Sequence, residues 1–197
     1  MVTARRKTRA KAKARAKPRA LPEPRLSEMP AQPMAVVYTR GDPATAAQTA
    51  IPALFGAAYG ARAEFKKRRG KVFKVGPLRA RWPDANVVAR DRWTGVWGLP
   101  LPAGIDALPQ KNPDVTVKRE VWEYGPVAEL LHVGSYATEG PTVARLHAFV
   151  TEQGYEIAGP HEEEYLTTPR ARVQKTLIRF RVRRAGGGGG GGGGGER

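Results

Sequence analysis

The chain has 197 residues and a formal net charge of +16, from 34 Lys and Arg against 18 Asp and Glu. It has no cysteine, which excludes a disulfide framework, thiolate metal ligation and a cysteine nucleophile. Hydrophobic residues make up 41%, enough for a folded core, and no apolar run reaches the ~18 residues of a membrane span. A cytoplasmic protein is expected, and the basicity points first to nucleic acid or another anionic surface.

The charge divides unevenly along the chain. Residues 1–33 carry Arg5, Arg6, Lys7, Arg9, Lys11, Lys13, Arg15, Lys17, Arg19 and Arg25 against only Glu23 and Glu28, a net +8. Alternating Ala and cations, followed by five prolines, repel one another and bury little, so a disordered basic tail is expected over 1–33. Its first eight cations, Arg5 to Lys17, are candidates for non-specific phosphate contact. A plain basic arm or an address signal fits as well. Glycines 186–195 mark a second flexible tail over 185–197. The stretch 34–184 carries the other +8, spread over a folded domain.

Within that domain, Val36–Tyr38 reads as a strand, Gly41-Asp42-Pro43 as a turn, and an alanine-rich segment ending near Tyr59 as a helix. Pro52 should kink this helix or begin it. Lys66-Lys67-Arg68-Arg69-Gly70-Lys71 follows as a solvated hairpin or loop. Strand-like composition then marks Lys71–Val75, Val87–Asp91, Arg92–Leu99 and Val115–Tyr124. The layout then repeats. Val127–Val133 reads as a strand, Gly134 as a turn, and Pro141 opens a helix with Val143, Leu146, His147 and Val150 on one stripe. Gly154 is placed to end it in a left-handed conformation. His147 on that stripe reads as a packed helix histidine, not a ligand. Two more strands close the chain, His161–Leu166 and Lys175–Arg183. In the last, Ile178, Phe180 and Val182 alternate with Arg179, Arg181 and Arg183. The fold expected is α+β: two βαββ units forming one curved antiparallel sheet with two helices.

The segment His161-Glu162-Glu163-Glu164-Tyr165-Leu166 carries the densest chemistry. Period two places His161, Glu163 and Tyr165 on one face and Glu162, Glu164 and Leu166 on the other. One reading is a solvated acidic edge balancing Arg172 or Arg179. The other is a carboxylate in a cleft, able to counter a bound cation or to exchange a proton with bound water. Trp82, Trp93 and Trp97 are candidate walls for a planar ligand, though core packing suits Trp97 and Trp122. His132 and His161 have no partner at metal-site spacing, so no metal and no cofactor is expected.

The stretch LHVGSYATEGPTVARLHAFVTEQGYEIAGPHEEEYLTTPR (Leu131–Arg170) resembles the C-terminal half of a GyrI-like small-molecule-binding domain. Echoes lie upstream at Gly41-Asp42-Pro43, Ala58-Tyr59, Gly76-Pro77-Leu78, Trp82 and Arg92-Trp93-Thr94. The resemblance implies duplicated βαββ units around a central ligand groove, in a stand-alone protein related to effector-binding domains of multidrug-sensing activators. It selects Glu163 as the groove carboxylate, with Tyr59, Trp82, Trp93 and Tyr165 as ligand-binding neighbours. Glu162 stands where the pattern more often has His, and Thr168 where it has Asp. The implied ligand is a small aromatic or cationic molecule. A second implication is hydrolysis of a cyclopropane-type electrophilic genotoxin, with Glu163 and Tyr59 as catalytic groups. A third possibility is a DNA- or gyrase-associated protein tethered by residues 1–33.

Overall fold

The structure is a computed structural model that describes residues 22–85 and 87–186. Among these it contains nine strands and two α-helices. The strands are β1 (Arg25–Met29), β2 (Gln32–Arg40), β3 (Arg79–Trp82), β4 (Thr94–Pro100), β5 (Lys118–Trp122), β6 (Gly125–Val133), β7 (Tyr155–Ile157), β8 (His161–Tyr165) and β9 (Lys175–Arg184). The helices are α1 (Pro43–Arg69) and α2 (Gly140–Glu152). None is long and apolar enough to cross a membrane, among the described residues.

The first helix starts where its donors find an acceptor. Asp42 caps it, its carboxylate accepting from Ala44 N at 3.0 Å and Thr45 N at 3.2 Å, and Pro43 fills a position that needs no N–H. The helix then runs through Pro52 instead of beginning there, and ends at Gly70 with φ 66°. Lys66, Lys67, Arg68 and Arg69 complement the dipole in its last turn. Its buried face is mostly alanine (Ala50, Ala53, Ala57, Ala58, Ala61) around Leu54, so the backbone sits close to the sheet. Asp42→Ala is expected to cost about 1 kcal/mol, read as a shift of the urea midpoint.

Topology confirms the duplication. β2-α1-β3-β4 and β6-α2-β8-β9 have the same pairing: first strand beside last, and middle strand on the other side of the last. β3 and β8, the equivalent strands, pair with each other, Ala80 opposite Glu163. This joins the halves into an antiparallel sheet in the order β1-β6-β9-β8-β3-β4-β2-β5, with β7 pairing the end of β9. Each half has also lent its leading strand to the other. β1 precedes β2 but pairs with β6, and β5 precedes β6 but pairs with β2. One register spans both pairings, from Arg25 opposite Glu129 to Val36 opposite Lys118. The two ends of the sheet therefore meet, and it curves around an inner face.

The pleat sorts side chains between the two faces. The outer face carries the helices. α1 covers a cluster that includes Ala35, Val37, Ala80, Trp82, Trp97 and Leu99, and α2 covers Ala128, Leu130, Ile178, Phe180 and Val182. The inner face holds Met34, Val36, Val96, Trp122, Tyr124 and Val127. At Gly98 a Cβ would lie 2.7 Å from Trp122 Cη2, so the indole occupies the space a β4 side chain would need.

Several expectations are corrected. The folded unit begins before residue 34, because Arg25–Met29 forms β1 and pairs with β6. The expected disorder of the remaining tail, and of the polyglycine, falls on residues 1–21 and 187–197, outside the described residues. Lys71–Val75 is not a strand. Its Phe73 and Val75 pack on the first core, and Arg62 Nε donates to Phe73 O at 2.8 Å, so a side chain takes the place of a ladder. Val87–Asp91 forms turns leading into a short 3-10 helix at Arg90–Arg92.

Candidate functional site

The site forms where the two halves meet. On the outer face of paired β3 and β8, the pleat brings Trp82 beside His161, Glu163 and Tyr165. These residues lie on the seam between the cores: Trp82 belongs to the α1 cluster, while His161 packs edge-on against Phe180 of the α2 cluster at 5.2 Å. Trp93, just after the 3-10 helix, packs against Trp82 at 5.6 Å. The Gly134–Glu139 turn supplies Tyr136, which meets Tyr165 edge-on at 5.5 Å. His132 holds this turn, its ring nitrogens 2.9 Å from Thr142 Oγ1 and 3.0 Å from Ser135 O.

Glu163 is 6% exposed, and Trp82 Nε1 donates to its Oε1 at 2.8 Å. His161 Nε2 is 3.6 Å from the same oxygen. Among the described residues no Lys or Arg nitrogen lies within 4.0 Å of it. Burial raises its pKa, against hydrogen bonding from Tyr165 and Trp82 and the more distant charge of Arg90. Burial and the Glu163 charge push the Tyr165 phenol well above its usual range, and the same two causes raise Tyr136. Glu139, on the turn before α2, is pushed up to about 8 by burial and then by Glu163. Burial takes His161 down to about 4, so its imidazole is neutral at neutral pH.

A pH dependence follows from Glu139. Its folded-state pKa lies above the unfolded value of about 4.3, so the folded state binds the proton more tightly. This contribution is complete below about pH 4 and is lost as pH rises towards 8. Glu139→Gln is expected to flatten the fall in melting temperature over that window, measured by differential scanning calorimetry at several pH values. A variant with the wild-type slope would assign the slope to another group.

The other face of β8 is different. Glu162 is 3% exposed and Glu164 is half-buried, so the acidic face expected to be solvated is turned into the sheet's interior. Arg179 reaches Glu162 at 2.6 Å, Glu129 at 2.6 Å and Glu164 at 3.1 Å. Arg81 binds Glu162 at 2.7 Å and lies over the Trp122 ring at 3.9 Å. Arg79 binds Glu164 at 3.0 Å, and its guanidinium donates to the Tyr124 hydroxyl, which donates in turn to Glu162. Burial and the Glu162 charge push the Tyr124 phenol up to about 12. Of the two cations named as partners for this face, Arg179 is the one the structure places there.

Glu163, Trp82, Trp93 and Tyr165, expected together, are together. Tyr59 lies on α1, 54% exposed and stacked on Phe55 at 6.2 Å, and takes no part in the hydrogen bonds of Glu163. Trp97 and Trp122 are core residues, as expected, and the partly buried His147 packs on Phe180 at 4.8 Å. Tyr136 and Glu139 were not singled out. Their signal lay in the Gly134-Ser135-Tyr136-Ala137-Thr138-Glu139-Gly140-Pro141 turn, where their spacing does not show that the turn folds back over β8. Glu139, His161 and Glu163 each offer a ligand atom, and these atoms lie within 4.8 Å of one another.

Solved structures share this architecture. An uncharacterized conserved protein from Listeria innocua is 27% identical, with a TM-score of 0.71, over 82% of this chain and 92% of its own. A hydrolase from Listeria innocua is 26% identical over the same shares, with a TM-score of 0.68. The EcmrR C-terminal domain is 15% identical over 84% of this chain and 99% of its own, with a TM-score of 0.61. No protein-family model and no curated protein matches the chain.

Proposed function

Because the chain has the fold of the GyrI-like effector-binding domains, we propose that it binds a small aromatic or cationic molecule at Glu163. One contrast carries this reading. Glu129, Glu162 and Glu164 on the inner face are all paired with arginine, while Glu163 on the outer face is buried among aromatic rings with no such partner. An unpaired buried carboxylate is costly for folding, and a bound cation offsets that cost. Trp82, Trp93, Tyr136 and Tyr165 supply π faces for the rest of the ligand. The test is a thermal-shift series with aromatic cations such as ethidium and crystal violet against neutral aromatic compounds of similar size. A ligand that binds only the folded state raises the melting temperature by mass action. A series in which no cation shifts it argues against the reading.

The similarity to a Listeria innocua hydrolase favours a second reading, hydrolysis of an electrophilic compound. Glu163 then takes the proton of the attacking water. The phenol that returns a proton to the opened ring is Tyr59 or one of the two tyrosines near the carboxylate, Tyr136 and Tyr165. Turnover of a cyclopropane-bearing alkylator by wild type and by each Tyr→Phe variant separates them. Turnover that survives Glu163→Gln argues against any catalytic role for this carboxylate.

Contact with nucleic acid through Arg5 to Lys17 is a separate reading. The informative deletion removes residues 1–21 and keeps β1. DNA affinity and its salt dependence unchanged by that deletion count against the tail as a phosphate clamp.

A further inference from the structure

We propose that Glu139, His161 and Glu163 form a site for a divalent transition-metal ion of the zinc type. It goes beyond the small-molecule reading but uses the same carboxylate, Glu163, so the ion and a cationic ligand are alternative partners for it. Geometry is the first argument. The three donor atoms lie within 4.8 Å of one another, and His161 Nε2 is 3.6 Å from Glu163 Oε1. Tetrahedral zinc with bonds of ~2.0–2.1 Å spaces its donors about 3.3 Å apart. The pairs must therefore close by at most roughly 1.5 Å, within reach of a rotation of the Glu139 side chain on its turn.

Unused valence is the second. His161 Nε2 and Glu139 Oε2 are shut off from water and have no hydrogen-bond partner. Buried polar atoms are rarely left so, and one ion satisfies both. Glu163 is oriented by Trp82 Nε1, as metal-bound carboxylates are held by an outer hydrogen bond, and its Oε1 keeps a second lone pair for the ion. No Lys or Arg nitrogen lies within 4.0 Å of Glu163 to compete, among the described residues.

Donor chemistry is the third. One imidazole and two carboxylates suit zinc and its neighbours, whereas magnesium and calcium take six or more oxygens. His161 and Glu163 sit two apart on one face of β8, pinned by β3 and β9 on either side, so two donors are held before any ion arrives. Three protein ligands leave a fourth position open.

The test uses the full-length, untagged chain, stripped with EDTA, dialysed and titrated with zinc chloride by isothermal calorimetry. Saturable uptake of one equivalent is expected, with a higher melting temperature in zinc and none in the same concentration of magnesium. Glu139→Gln and His161→Gln are each expected to weaken uptake roughly tenfold or more. Circular dichroism confirms that each variant is folded, and if one is not, the other decides. No uptake at ~100 μM zinc, where a Kd of this class would saturate the site, overturns the proposal. Uptake unchanged in a folded variant overturns it too, because the ion then sits elsewhere.

Discussion

Replacing Arg179 with methionine is expected to destabilise the protein by about 3–5 kcal/mol, the usual consequence of removing one partner from a buried ionic cluster. Arg179 is 3% exposed and is the residue through which Glu129, Glu162 and Glu164 are neutralised together. Without it, Glu129 keeps only Arg25, which is largely exposed, while Glu162 keeps Arg81 and Glu164 keeps Arg79. The remaining carboxylates stay inside the curved sheet with too little positive charge. The measurement is a urea denaturation curve, with the midpoint falling and the slope unchanged. Arg183→Ala is the control, since its contact with Glu156 is exposed and worth at most about 0.5–1 kcal/mol. A loss below about 1 kcal/mol in Arg179→Met would mean that Arg79 and Arg81 re-pair with all three acids.

Glu163→Gln is expected to act in opposite directions on ligand affinity and on stability. Removing the charge should weaken an aromatic cation by at least about 30-fold, equivalent to ~2 kcal/mol, and leave a neutral aromatic compound nearly unaffected. The unliganded variant should be more stable than wild type at neutral pH. Burial raises the folded-state pKa of Glu163 above its unfolded value, so ionisation opposes folding as pH rises past about 4.3. Glutamine keeps a neutral group in the same volume. The two proteins should therefore melt alike near pH 4 and diverge towards pH 8. Titration calorimetry measures the first effect and scanning calorimetry the second. A variant that loses both affinity and stability would mean that Glu163 is a structural acceptor for Trp82. Gain of stability with loss of binding is what a site held in a costly state predicts.

The duplicated architecture was legible because both helices announce their starts, at Asp42-Pro43 and at Gly140-Pro141, and because β9 alternates strictly. The face of Glu163 was legible for the same reason: a period of two needs only the strand. What lies opposite each face was not. Glu162 and Glu164 read as solvated because nothing local shows that the sheet closes on itself and buries the side away from the helices. That closure is set by pairing across 82 to 104 residues, between Val36 and Lys118 at one end and Arg25 and Glu129 at the other. β1 was hidden by its own composition, since Arg25, Glu28 and the flanking prolines read as tail. The strand holds because Arg25 bonds Glu129 and Leu26 packs on the α2 core. Of the two readings open at Pro52, a helix passing through the proline is the one the structure has. A helix pressed on the sheet by Leu54 and five alanines tolerates one missing hydrogen bond.

The exchanged strands make the two halves kinetically inseparable. A half that carried its own leading strand could fold and then dock as a unit. Here neither half has a complete edge until the other is in place, so β6 and β2 expose unpaired backbone in any partly folded chain. The contacts that cover them join the start of the domain to its middle, and such long-range pairings lengthen the search. A chain still being synthesised has β1 waiting for a partner until residues 125–129 emerge. Slow closure, with exposed strand edges along the way, is the expected cost of a sheet whose two ends hold each other.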